Sequence, residues 1–97
     1  MAGLRRTGEF DAWLKGLRDT RAKAKVLVRI ERLGSGNPGD VAPIGDGISE
    51  MRIHYGPGYR IYFKRIGEDT VILCGGDKDS QISDINRAKL LANEVED

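Results

Sequence analysis

The residues best suited to chemistry lie between Met51 and Lys64. Arg52, His54, Arg60, Tyr62 and Lys64 fall at alternating positions on either side of a Gly56-Pro57-Gly58 turn. Arg52 and Arg60 offer planar donor forks that match a phosphate, and Lys64 adds a point charge. His54, the chain's one histidine, is the side chain type whose unperturbed pKa lies near neutrality, so it can give or take a proton at physiological pH. Tyr62 can stack on a base or donate a hydrogen bond. The set contains no paired carboxylates, no Ser or Cys nucleophile beside a base, and no glycine loop ahead of a helix. It suits a polyanion. With RNA as substrate the 2′-hydroxyl is the nucleophile, and the protein need only orient it, move protons and stabilise charge on the scissile phosphate. That route requires no metal and no cofactor, and no cysteine–histidine cluster has metal-ligand spacing.

The elements that must position these residues follow from periodicity. Met51, Ile53 and Tyr55 alternate with Arg52 and His54, and Tyr59, Ile61 and Phe63 alternate with Arg60, Tyr62 and Lys64. This predicts a β-hairpin with the apolar set on one face and the polar set on the other. The run TVILCGG at 70–76 is apolar on both faces and reads as a central strand, with Cys74 in the core. Upstream, Phe10, Trp13, Leu14 and Leu17 have the spacing of one helix face, and Ala22, Val26, Ile30 and Leu33 that of a second helix over 20–33. The link at Asp19 and Thr20 is short enough to make the two helices an antiparallel hairpin. The run GSGNPGDVAPIGDG from Gly34 to Gly47 reads as a loop. Ile82, Ile85, Ala88, Leu91 and Val95 predict a last helix capped by Asp79 or Ser80, and Leu4–Arg6 is a candidate short strand. The expected fold class is α+β: an N-terminal helical hairpin packed on one face of a small antiparallel β-sheet, with a C-terminal helix.

At 97 residues the chain is read as one domain, 1–97. The net charge of +1 conceals strong segregation. Residues 1–33 hold nine bases and four acids, 34–50 three acids and no base, 51–66 four bases and no acid, and 67–97 eight acids and three bases. Such segregation permits a local positive field on a nearly neutral protein. Arg21, Lys25, Arg29 and Arg32 form a basic stripe on the second helix. Together with Lys64 it is a candidate RNA-binding surface, although the stripe by itself reads first as an ordinary solvated face, with the dock of an acidic partner segment as a further alternative. The lone cysteine, and the lack of an apolar run of signal or membrane-spanning length, point to the cytoplasm.

The series EFDAWLKGLRD at 9–19, RIERLGSGNPGD at 29–40, GISEMRIHYGPGYRIYF at 47–63 and GGDKDSQISDINRA at 75–88 together resemble the RelE/ParE superfamily of bacterial toxins. They are most similar to its phage-derived, HigB-like addiction module killers. The resemblance covers nearly the whole chain. It implies a four-stranded antiparallel sheet packed on helices, with an open concave face that binds the target. It further implies a ribosome-dependent mRNA endoribonuclease that inhibits translation. Such a toxin is neutralised by a cognate antitoxin, commonly a helix-turn-helix protein, in an oligomeric complex. By position, Arg52 and Arg60 match basic residues of the superfamily's ribonucleases, Arg60 their phosphate-binding arginine, and Lys78 a further basic site residue. His54 stands at another of these basic positions, and the general acid/base role falls to His54 or Tyr62, unless catalysis rests mainly on cationic stabilisation. The superfamily also includes ParE-like inhibitors of DNA gyrase that are not enzymes, and an inert antitoxin-binding module is a third reading.

Overall fold

The structure, a computed structural model, describes residues 3–95. In chain order the elements are β1 (Leu4–Arg6), α1 (Gly8–Gly16), α2 (Thr20–Gly34), β2 (Val41–Gly45), β3 (Ile48–Ile53), β4 (Tyr59–Ile66), β5 (Asp69–Gly76) and α3 (Gln81–Val95). Both N-terminal helices start on side-chain caps. Thr7 Oγ1 accepts from the Phe10 amide at 3.0 Å while donating to the Leu73 carbonyl at 2.6 Å, so the start of α1 is tied to β5. Asp19 accepts from the amides of Arg21 and Ala22 at 3.0 and 3.2 Å, satisfying donors that the first turn of α2 would otherwise leave unpaired.

The strands form one sheet in the order β1-β5-β4-β3-β2. The pairs β2–β3, β3–β4 and β4–β5 are antiparallel, whereas β1 runs parallel to β5. The sheet is therefore mixed, which corrects the expected antiparallel sheet. A second correction concerns the glycine-rich run before the hairpin. Val41–Gly45 is a strand, joined to β3 by Asp46 and Gly47, both at positive φ (56° and 75°). An Asp-Gly pair with that geometry is the turn that suits the twist of a two-residue hairpin. Pro43 is tolerated because β2 is an edge strand.

Helices cover both faces of the sheet rather than one. On the first face Phe10, Leu14, Val26, Ile30 and Leu33 of α1 and α2 pack on Met51, Ile53, Ile61, Phe63 and Ile72. On the second, Ala88, Leu91 and Ala92 of α3 pack on Ile48, Tyr62, Val71, Leu73 and Cys74. Each such large apolar side chain contributes roughly 1.5–3 kcal/mol when fully buried. The two-faced burial accounts for the unbroken apolar run of β5. Between Tyr62 and Phe63 the β4–β5 register slips, with Tyr62 opposite Cys74 and Phe63 opposite Ile72.

Gly75 and Gly76 end β5 beneath both layers. A Cβ on Gly75 would lie 2.6 Å from the Trp13 ring of α1, and one on Gly76 would run into the Asp84 carboxylate and come within 2.8 Å of Ser80 Oγ. The missing side chains let α3 start directly against the sheet. Its start is organised by Asp77, whose carboxylate accepts from the amides of Asp79 and Ser80 at 2.9 and 3.1 Å. Ser80, immediately before the first helical residue, donates its hydroxyl to the Asp84 carboxylate, and its carbonyl accepts from the Asp84 amide at 2.9 Å.

Candidate functional site

Pairing in the β3–β4 hairpin sets Arg52 directly opposite Arg60 and Glu50 opposite Tyr62. Two arginines facing each other across a ladder repel, so a counter-charge has to hold them. Glu50 provides it. Two residues before Arg52 and on the same face of β3, it is 1 % exposed. Its Oε1 accepts from Arg52 Nε at 3.1 Å, and its Oε2 accepts from the Tyr62 hydroxyl at 3.1 Å and from Gln81 Nε2 at 2.9 Å. Arg60 Nε lies 3.6 Å from the same Oε2. Burial pushes the Glu50 carboxyl upward, but the hydrogen bonds from Gln81, Arg52 and Tyr62 and the Arg60 charge outweigh it, so Glu50 is held below its ordinary value. It is an ionised carboxylate held by three hydrogen-bond donors and the nearby Arg60 charge.

Arg60 is nearly buried, with 15 % of its side chain exposed, whereas Arg52 keeps 40 %. Arg60 Nη1 donates to the Gly58 carbonyl at 3.2 Å, and its Nε is buried without a hydrogen-bond partner among the described residues. Lys78 comes to the same place from the other side of the sheet's end. A Cβ on Gly58 would lie 3.6 Å from Arg60 Nη1 and 3.7 Å from Lys78 Cβ. The exposed Lys78 thus stands beside the arginine pair, carried there by the tight turn that Gly75, Gly76 and Asp77 make possible. Two arginines share one buried carboxylate, and the start of the Lys78 side chain lies beside the turn that Arg60 also touches.

The remaining expected site residues are distributed differently. Tyr62 is in the core beneath α3, so it cannot stack on a base as the alternation suggested. Burial and the Glu50 charge push its phenol well up, and its role is to donate to Glu50. His54 lies past the end of β3, outside the strand, and its side chain is 77 % exposed. It therefore does not share the Arg52–Arg60 face but lines a groove against α2 with Ala24, Val28 and Ile53. His54 Nε2 sits 2.6 Å from Asp40 Oδ2, and this bond holds the Asp40 carboxyl below its usual range.

The basic stripe is on that second side too. Arg29 is spent on backbone: Nη1 donates to the Arg52 carbonyl at 2.6 Å and Nη2 to the carbonyls of Pro38 and Asp40 at 3.0 and 3.4 Å. It pins the loop after α2 to β3 rather than presenting a fork to a phosphate. Lys25 Nζ lies 5.2 Å over the Tyr55 ring, whose hydroxyl donates to Asp19 at 3.0 Å. Arg21 and Arg32 are exposed on α2, and Lys64 is half-buried on β4. The stripe and the arginine pair are two surfaces, not one. Cys74 is buried with its thiol pushed up to about 12 by desolvation, which leaves it a protonated core residue. Among the described residues no group of three or more His, Cys, Asp or Glu side chains is arranged to hold a metal ion, and no helix is long and apolar enough to cross a membrane.

The chain is 50% identical over 93 residues to a protein of Haemophilus influenzae described only as uncharacterized, a match covering 95% of this chain and 94% of that one. The two belong to one family. No family model matches the chain.

Glu50, Gln81 and Asp40 were not among the residues the sequence singled out. Glu50 had a signal, since alternation from Arg52 backwards sets it on the same face. Gln81 follows the GGDKDS turn, but nothing local ties it to β3. Asp40 meets His54 only because β2 returns alongside β3.

Proposed function

We propose that the protein is a toxin of the RelE/ParE kind: a ribosome-dependent mRNA endoribonuclease of the cytoplasm, neutralised by a cognate antitoxin. The observation that carries this reading is the Arg52–Arg60 pair held by buried Glu50 with Lys78 alongside. Its guanidinium groups cannot collapse onto one another or swing away, so their positive charge is preorganised for a phosphate in transit to a dianionic state. Preorganised donors of this kind are worth on the order of a hundredfold or more in rate each.

In the proposed reaction the 2′-oxygen of one nucleotide attacks the adjacent phosphorus as its proton leaves to water, and catalysis rests mainly on cationic stabilisation. The P–O5′ bond breaks, and the 5′-oxygen takes a proton from water. The products are a 2′,3′-cyclic phosphate and a 5′-hydroxyl. Arg60 and Arg52 neutralise the non-bridging oxygens, and Lys78 adds charge at the rim.

The test is to induce the chain alone in cells and map transcript 5′ ends. Codon-phased cuts confined to translated messages support the proposal. Intact transcripts, with or without gyrase-dependent DNA breaks, overturn it.

A further inference from the structure

Gln81, the first residue of α3, is bonded to both halves of the charged site. Its side-chain Nε2 donates to Glu50 Oε2 at 2.9 Å, and its backbone amide donates to the Lys78 carbonyl at 3.4 Å. Glu50 in turn holds Arg52 through Oε1 at 3.1 Å, while Arg60 Nε lies 3.6 Å from the oxygen that Gln81 engages. One residue therefore joins the turn that carries Lys78 to the carboxylate that both arginines share. That turn is closed by its own hydrogen bonds. Asp77 accepts from the amides of Asp79 and Ser80, and Ser80 Oγ donates to Asp84 over the bare Cα of Gly76. A turn braced in this way moves with α3 rather than absorbing its movement, so the bond from Gln81 to Glu50 fixes where Lys78 starts relative to Arg52 and Arg60.

The residue type suits that task. A glutamine donates without bringing charge, so it orients the carboxylate and leaves the negative charge to the arginines. A lysine or arginine there would compete with Arg60 for Oε2, and a glutamate would repel Glu50. An asparagine, one methylene shorter, would not reach. Tyr62 is a second neutral donor to Oε2 at 3.1 Å, but it comes from β4, the strand of Arg60 itself, and so does nothing to place α3.

We propose that Gln81 is a positioning residue for phosphate stabilisation: through Glu50 it sets the spacing between Lys78 and the Arg52–Arg60 pair. Its effect on rate rests on the RNA-cleavage reading, whereas its geometric part is read without any reaction. Two measurements on the full chain test it. In the first, NMR compares wild type with Gln81→Leu, which is close in volume and has no donor. The Arg60 Nε–H resonance and the Lys78 amide should move while the amides of α1 and α2 stay in place. In the second, cleavage of ribosome-bound message is followed over a range of complex concentrations. Gln81→Leu and Gln81→Asn should lower kcat at least about tenfold and leave KM within about twofold, because the defect is misplacement rather than lost binding.

Gln81→Glu supplies a readout that lost packing would not move. Its carboxyl faces the Glu50 carboxylate, and two carboxylates so placed share a proton more readily than they ionise together. The protonated form donates as glutamine does. The rate of Gln81→Glu relative to wild type should therefore rise as pH falls, Arg52, Arg60, Tyr62, Lys78 and Asp84 being the same in both proteins. A ratio that does not change with pH overturns the proposal, as does a Gln81→Leu protein with wild-type kcat or with unmoved Arg60 and Lys78 resonances. Should Gln81→Leu fail to fold, Gln81→Asn takes its place in both measurements. A wild-type chain that cleaves no message overturns the ribonuclease reading instead, and the Arg60 and Lys78 resonances then decide the role of Gln81.

Discussion

Glu50 accepts a hydrogen bond from Tyr62 at 3.1 Å, directly across the β3–β4 ladder, inside the layer that α3 closes. The tyrosine keeps one carboxylate oxygen aimed at Arg60 while the other takes Arg52. Replacing Glu50 by alanine would leave Arg60, mostly buried, and the Tyr62 hydroxyl facing no acceptor. Removing one partner of a buried ion pair costs about 3–5 kcal/mol, and the partial exposure of Arg52 argues for the lower end. Glu50→Gln keeps the shape and one acceptor, and should cost less than Glu50→Ala. Urea unfolding midpoints of the two variants check the order; equal, wild-type-like midpoints would show that Glu50 does not hold the pair.

The same carboxylate sets an acid limit on stability. Its pKa in the folded protein lies below the ordinary 4.5 because hydrogen bonds and the Arg60 charge outweigh burial. The unfolded chain therefore binds a proton there more readily than the native one. Stability from Glu50 is complete above its unfolded pKa and is lost as pH falls through the folded value. Glu9, lowered by its hydrogen bond from Arg87, acts in the same direction. Unfolding free energy should be flat near neutrality and fall below about pH 4.5, with Glu50→Gln showing a shallower fall than wild type. Identical acid slopes in the two proteins would assign the effect elsewhere.

Gly75 and Gly76 set how closely α1 and α3 approach the end of β5. A methyl at Gly75 meets the Trp13 ring, and one at Gly76 meets Asp84 and Ser80. Gly75→Ala and Gly76→Ala should each destabilise by roughly 1–3 kcal/mol, the usual range for overpacking. Gly76→Ala should in addition move the turn that carries Lys78. Gly16, in the last turn of α1, has open space around its Cβ position. Gly16→Ala should therefore be neutral or stabilise by up to about 1 kcal/mol. Thermal melts of the three variants check the contrast, which vanishes if the glycines are mere spacers.

Local patterns in the chain carry the helices well, because the apolar spacings are internal to each helix. The β3–β4 pairing was legible for the same reason. What escaped depends on distant packing. Glu50 reads as a loop acid until the strand is extended back to Ile48, and one of the donors that holds it, Gln81, comes 31 residues later. Tyr62 looks like a polar-face residue until α3 is known to cover that face. His54 continues the alternation of β3 on paper, yet the turn begins there and the ring goes to Asp40. β2 was hidden by Pro43 and the five glycines of the 34–47 run, although the Asp46-Gly47 pair was the turn signal for it.

Arg60 separates charge from geometry at the proposed site. Its guanidinium is oriented by Glu50 and by the Gly58 carbonyl, so a lysine at this position would keep the charge and lose the fork. Glu50 would still retain Arg52, Tyr62 and Gln81 as donors, and the hairpin should remain folded in either variant. If the arginine pair stabilises the phosphate, Arg60→Ala should lower cleavage of ribosome-bound message by at least about a hundredfold. Arg60→Lys should fall between that and wild type, since a point charge recovers attraction without the paired donor directions. The rate constants should be taken at saturating ribosome complex, with melting temperatures measured alongside. Cleavage by Arg60→Ala at the wild-type rate would remove Arg60 from the reacting centre, whereas a matched loss of rate and of folded protein would make its contribution structural.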